Sequence, residues 1–227
     1  VHSSFNKRIT RIMAFSTINK SSLFQNNVLY TGTGAEHAIT GVGFQPDLVW
    51  AKRRNEAQYH GLYDAVRGAT KQLTPNENDG ESTVAETLKS FDSDGMTFGT
   101  NVRNNGDTTT NVAWNWLAGT TSGITTDGST TITPSAYSFN QTSGFSICKY
   151  TGNYTSGAKV AHGLGATPKM VIVKRLSETD DWTVYHQSMD TTAPEDYGMF
   201  WNNNDAKTDN ATYWNDPAPD SVNFTIG

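Results

Sequence analysis

The segment Gly-Phe-Gln-Pro-Asp-Leu-Val-Trp-Ala-Lys-Arg at residues 43–53 returns as Gly-Ala-Thr-Pro-Lys-Met-Val-Ile-Val-Lys-Arg at residues 165–175. The likeness spreads to both sides. Tyr30-Thr31-Gly32 lies on Tyr150-Thr151-Gly152, Leu62-Tyr63 on Val184-Tyr185, and Met96-Thr97-Phe98-Gly99 on Phe224-Thr225-Ile226-Gly227. Solenoid units are only ~20–45 residues long. A period this much longer means a domain that occurs twice, so the chain must adopt a fold that can be built in tandem.

Each copy has β character. Asp47 to Ala51 and Lys169 to Val173 are short, apolar on both alternating faces and preceded by proline, which suits a central strand opening just behind a residue that has no N–H for the ladder. Asn111 to Trp116 alternates instead, with Val112, Trp114 and Trp116 on one face, as a half-exposed strand does. Turn chemistry separates the segments at Asn76 to Gly80, Asp92-Ser93-Asp94-Gly95 and Asn104-Asn105-Gly106-Asp107. Only Ser82 to Lys89 has helical character, and Thr83, Val84 and Thr87 weaken it. Charged residues make up only 17% of the chain, while 6 Trp, 9 Tyr and 10 Phe supply surface to bury, which argues for a folded, turn-rich protein.

The expected fold is therefore all-β: two tandem, internally duplicated β-sandwich-like domains. Residues 1–28 form an N-terminal arm, 29–119 the first repeat, 120–140 a Thr/Ser/Gly-rich linker in which Thr130 to Thr133 suits an edge strand, and 141–227 the second repeat. In the first copy Gly99 is followed by a hairpin and the Trp-bearing strand. The second copy reaches Gly227 without that closing hairpin. A sandwich lacking strands presents an unpaired edge and an uncovered apolar face, and both invite another chain. Two expectations follow: the gap is filled in trans by the arm of a neighbouring subunit, or the native chain continues past Gly227.

The motifs of common chemistries are missing. No pair among His2, His37, His60, His162 and His186 has zincin spacing, and none accompanies a Gly-x-Ser-x-Gly elbow. His162-Gly163-Leu164-Gly165 aligns with Thr40-Gly41-Val42-Gly43, so the shared property is a glycine turn rather than a ligand. Asp92, Asp94 and Asp107 lack EF-hand spacing and suit hairpin turns. Gly32-Thr33-Gly34 has no Lys-Ser/Thr behind it and is a turn. Cys148, the single cysteine, excludes an intrachain disulfide and reads as a small buried side chain. No metal, cofactor or catalytic residue is expected. Trp201, Tyr213 and Trp214 lie among Asn and Asp, where an aromatic platform for a glycan or a partner would sit, although core or interface packing is the simpler role.

A net charge of -5 gives no footprint for nucleic acid, and Lys7-Arg8-Ile9-Thr10-Arg11 is a short basic stretch suited to a solvated arm or a subunit contact. No apolar run approaches the ~18 residues of a membrane span, so no membrane insertion is expected.

Met13 to Ser22, Leu29 to Gly34, Ile39 to Trp50, Val66-Arg67-Gly68-Ala69 and Phe91 to Gly95, with Val160 to Gly165 and Pro168 to Lys174 in the second copy, together resemble a family of tandem β-domain, tail-fibre-like proteins encoded by tailed and notably marine bacteriophages. The resemblance covers most of residues 13–227. It implies a structural protein of the virion, in a tail fibre, an appendage or a capsid decoration, assembled in the bacterial host cytoplasm. It brings no catalytic residues. Family members begin near Met13, which makes residues 1–12 an extension, and they tend to continue past the point matching Gly227. The expected partners are further copies of the chain, other virion proteins and host surface glycans. A glycan-binding host-recognition module is the first alternative function, and a glycan-degrading tail enzyme, which needs two suitably spaced carboxylates, is the second.

Overall fold

The computed structural model describes residues 18–227. Over these residues the chain is all-β, built from several small antiparallel sheets. The first half runs β1 (Gln25–Thr31), β2 (His37–Ile39), β3 (Leu48–Arg53), β4 (Gly61–Asp64), β5 (Lys71–Gln72), β6 (Ser82–Thr83), β7 (Leu88–Asp92), β8 (Gly95–Phe98), the one-turn helix α1 (Val102–Asn105) and β9 (Thr110–Trp116). Its strands order as β1-β9-β3-β4 and β2-β8-β7, with β5-β6 as a short pair. The second half runs β10 (Ala136–Asn140), β11 (Phe145–Lys149), β12 (Ala158–Ala161), β13 (Met170–Val173), β14 (Thr183–His186), β15 (Tyr197–Phe200), β16 (Thr208–Asp209), the one-turn helix α2 (Ala211–Trp214) and β17 (Asn223–Ile226). These order as β10-β11, β12-β17 and β13-β14-β15-β16.

The hairpin that carries the repeated segment has one register in both halves. Leu48, Val49, Trp50 and Ala51 face Asp64, Tyr63, Leu62 and Gly61. Met170, Val171, Ile172 and Val173 face His186, Tyr185, Val184 and Thr183, the same positions at a constant displacement along the chain. Because a slip of one residue would turn every side chain to the other face, the shared register buries the same pair twice, Val49 with Tyr63 and Val171 with Tyr185. The pairing of β2 with β8 also recurs as β12 with β17. Ile39 opposite Met96 corresponds there to Val160 opposite Phe224. Ala161 then stands between Val160 and the glycine turn, with no counterpart between Ile39 and Thr40, so the turn is displaced by one residue relative to the strand. The turn itself is kept: Gly41, Gly43, Gly163 and Gly165 all have positive φ.

Two cores lie within these sheets. Val49, Ala51, Tyr63, Leu88, Met96, Phe98 and Ala113 anchor the first, and Ile132, Val160, Val171, Tyr185, Trp214 and Phe224 the second. Tyr63 is fully buried, and its hydroxyl donates to Asn104 Oδ1 at 2.6 Å with Gln72 Oε1 3.1 Å away. Only glycine fits at position 61, since a Cβ there would stand 2.5 Å from that hydroxyl and 2.6 Å from the Asn104 oxygen.

Several expectations from the sequence are corrected. Ser82 to Lys89 is not helical: it enters β6, turns and leaves in β7, and Val84 N–H donates to Thr70 across the turn. The two helices are single turns elsewhere, each capped by an asparagine, Asn101 accepting from Arg103 N–H and Asn210 from Thr212 N–H. Residues 120–140 are not a free linker, because β10 lies within them, Thr120 pairs with Phe139, and Ile132 is a core residue bridged to Val160. The edge-strand expectation for Thr130 to Thr133 reduces to that single bridge. Of the arm, residues 25–28 belong to β1 and pair with β9 of the same chain; residues 1–17 lie outside the described residues. Lys169 to Val173, expected in a central position, supplies β13, which stands at the end of its sheet. The alternation of β9 is present, yet its inward face is Asn111, Ala113 and Asn115, all fully buried, and the tryptophans point away from the first core.

Replacing Tyr63 by Phe removes the donor to Asn104 and leaves a buried acceptor unpaired. The expected loss is ~1–3 kcal/mol in urea unfolding with an unchanged m-value.

Candidate functional site

Antiparallel residues that face each other share a side of the sheet. Ile172, Val184 and Met199 are such a set across β13, β14 and β15, with Met170 two residues along β13 from Ile172. Val184 is buried, but Met170, Ile172 and Met199 are 42%, 40% and 39% exposed. This apolar row runs out to β13, whose far edge has no partner among the described residues. In the first half the corresponding edge of β3 is covered by β9, with Leu48 opposite Trp116 and Trp50 opposite Trp114.

The rest of that outer face is used within the molecule. Trp201 lies against Trp50 with ring centroids 5.5 Å apart, Trp50 lies against Trp114 at the same separation, and Trp116 stacks on Phe145 of β11 at 6.2 Å. Trp182 is buried, and its Nε1 donates to the Glu77 carbonyl at 2.9 Å. Backbone bonds from Glu81 to Leu176 and from Asp180 to Asn78 add to the joint. On its opposite side, the buried Asp47 carboxylate accepts from Ala118 N–H at 2.8 Å and from the Ser138 hydroxyl at 2.9 Å. The tryptophan face of the first sheet is therefore where the second half docks.

The three aromatics singled out in the sequence have three different placements. Trp214 is 3% exposed and packs edge-on against Tyr185 in the second core, so it offers no face to a ligand. Tyr213 is half-buried, edge-on to Phe200 and pressed onto the backbone of Gly198. Trp201 keeps an exposed side but is held by Trp50. They form no common platform. The reason is local: the Asn210-capped turn of α2 swings Trp214 inward while Tyr213 covers β15.

The other marked residues build turns. Asp94 accepts from Gly41 N–H at 3.0 Å and Gly43 N–H at 2.6 Å, and these bonds hold its carboxyl below the usual range. Asp92 accepts from the Ser90 and Thr97 hydroxyls. His162 is buried; Leu164 N–H donates to its Nδ1, which leaves Nε2 to donate to the Asp220 carbonyl at 3.2 Å. Cys148 is half-buried, and burial pushes its thiol pKa up, away from a reactive thiolate. Asp196 has its pKa raised by desolvation and then by the carboxylates of Asp216, Asp209, Glu195 and Asp190, while hydrogen bonds from Thr192 and Ala193 hold Asp190 low. Among the described residues no group of three or more His, Cys, Asp or Glu is placed to hold a metal ion, and no helix is long and apolar enough to cross a membrane.

The exposed row was missed in the sequence because Met170 and Ile172 look like core when the strand is taken as central. Among the described residues the second half has no strand corresponding to β9, and β13 stands at an edge.

Residues 20–227 match the model of DUF7483, a domain of unknown function, and the chain belongs to that family. One family model thus spans both halves and the segment between them. Neither a curated protein nor a solved structure matches the chain.

Burial lowers the pKa of His162, and burial together with Lys52 lowers that of His60. The native state therefore binds fewer protons than the unfolded chain below the unfolded histidine value of ~6.5. Stability is complete above that pH and falls as pH drops from it towards the lowered native values. Thermal melts at stepped pH are expected to show the fall, and His162→Gln to flatten it.

Proposed function

We propose that this member of the DUF7483 family is a structural, self-assembling protein made of two tandem, internally duplicated β-sandwich-like domains, the second open at one edge. It acts through its surfaces, by assembly and attachment, and not as an enzyme. The observation that carries this reading is the hairpin register common to β3–β4 and β13–β14, of which, among the described residues, one copy has its edge covered and the other does not. What the chain repeats is core and pairing, the parts of a scaffold, and an open strand edge beside exposed apolar side chains favours association.

The resemblance of residues 13–22, 29–34, 39–50, 66–69, 91–95, 160–165 and 168–174 to tail-fibre-like phage proteins supplies the setting. In this reading the protein belongs to the virion, is assembled in the bacterial host cytoplasm, and has as partners further copies of itself, other virion proteins and glycans of the host surface. A glycan groove built on Trp201, Tyr213 and Trp214 is less favoured, since Trp214 is a core residue.

Light scattering on the purified chain, with its length set by intact mass spectrometry, tests the reading. A stable oligomer is expected. A monomer across the micromolar range contradicts assembly by the chain itself.

A further inference from the structure

We propose that the second half contains a strand-acceptor slot between β11 and β13, and that its occupant is an antiparallel strand of β9 chemistry: seven residues with small or carboxamide side chains inward and aromatic ones outward. The proposal deepens the assembly reading above by naming what the open edge receives.

The first half shows how such a slot is filled. There β9 lies between β1 and β3 and pairs with both along their length. In the second half the counterparts of the flanking strands are present. Tyr150 behind β11 stands for Tyr30 of β1, and β13 repeats the register of β3 over the four positions Leu48 to Ala51. The side chain anchoring each first strand reaches a carbonyl of the same glycine turn, Asn26 Nδ2 to Val42 O at 2.9 Å and Ser146 Oγ to His162 O at 2.7 Å.

The hydrogen-bonding edges agree. In β1, Gly32 N–H donates to Thr109 and the Phe24 carbonyl accepts from Leu117, so even-numbered residues face β9. In the second half Phe139 of β10 exchanges both its backbone bonds with Thr120, on the side away from β11. Its cross-strand partner Ser146 therefore points its own N–H and C=O away from β10, towards the slot. On the other flank, Lys169 accepts from Gln187 N–H, which assigns odd-numbered residues of this strand to β14 and leaves the N–H and C=O of Met170 and Ile172 facing the slot. Neither β11 nor β13 has a strand on that side among the described residues.

The first half also defines the side chains. Positions facing Val171 and Val173 correspond to Asn115 and Ala113, which are fully buried. Positions facing the exposed Met170 and Ile172 correspond to Trp116 and Trp114. An aromatic at each would cover the two residues that β13 now leaves open.

The test uses the 227-residue chain and a fluorescein-labelled peptide with the β9 sequence Thr-Asn-Val-Ala-Trp-Asn-Trp between added glutamates, read by fluorescence anisotropy. Saturable binding is expected. A peptide of the same composition with its alternation broken should bind at least about tenfold more weakly, a difference of ~1.4 kcal/mol. Ile172→Pro removes a slot-facing N–H without touching the β14 ladder and should abolish binding, whereas Ile172→Val should retain it. No binding by the unaltered chain, equal binding of the two peptides, or full binding by Ile172→Pro overturns the slot. Self-association of the chain that Ile172→Pro abolishes and the peptide does not compete with assigns the edge to a second copy, and also overturns it. Peptide binding by a strictly monomeric chain would instead uphold the slot and remove only the oligomer reading.

Discussion

Both halves depend on one antiparallel pairing, in which a strand opening just behind a proline turns back on itself so that a valine and a tyrosine face the core together. In the first half these are Val49 and Tyr63, in the second Val171 and Tyr185. Around each pair the local solution then differs. Tyr63 meets Phe98 edge-on and gives its hydroxyl to Asn104, an arrangement that requires glycine at position 61. Tyr185 meets Trp214 instead, and position 183 is threonine. The frame is common and the filling is not, as expected where a backbone tolerates varied side chains of suitable volume.

The outer faces of the two hairpins have different fates, and this difference organises the molecule. Trp50 and Trp114 would form an exposed apolar face on an isolated first half. In the chain Trp201 lies against Trp50, which itself lies against Trp114, Phe145 lies against Trp116, and Trp182 is tied to the Glu77 backbone. Among the described residues nothing covers the equivalent row of the second half, and Met170, Ile172 and Met199 are open to solvent. An apolar row that ends at an unpaired strand edge joins two separate causes of association, apolar area and unmet backbone bonds.

Much of this was legible in the sequence. The strand behind Pro46 and Pro168 and the glycine turns at Gly41, Gly43, Gly163 and Gly165 follow from local chemistry, and the structure contains them. The inward face of β9 was not legible, because asparagines ordinarily mark the wet side of a strand. Here the Nδ2 of Asn115 is satisfied inside by bonds to the carbonyls of Asn26 and Ala113, and the tryptophan side is half-buried, with a distant segment against it. The edge position of β13 was not legible in its own residues, since a strand does not say whether a neighbour exists, although an unpaired edge somewhere in the second copy was expected. For Trp214 core or interface packing was the simpler role and a ligand platform the alternative; a single capped helical turn sets its direction inward.

The central claim is that β3 and β13 are the same strand in two environments, one edge filled and the other open. Residue-resolved amide hydrogen exchange on the 227-residue chain tests it most directly. In β3 both Val49 and Trp50 are expected to be protected, the first by β4 and the second by β9. In β13 Val171 should be protected by β14 while Ile172 exchanges at near the rate of a solvent-facing amide. Protection of Ile172 equal to that of Trp50 in the isolated monomer would contradict the account.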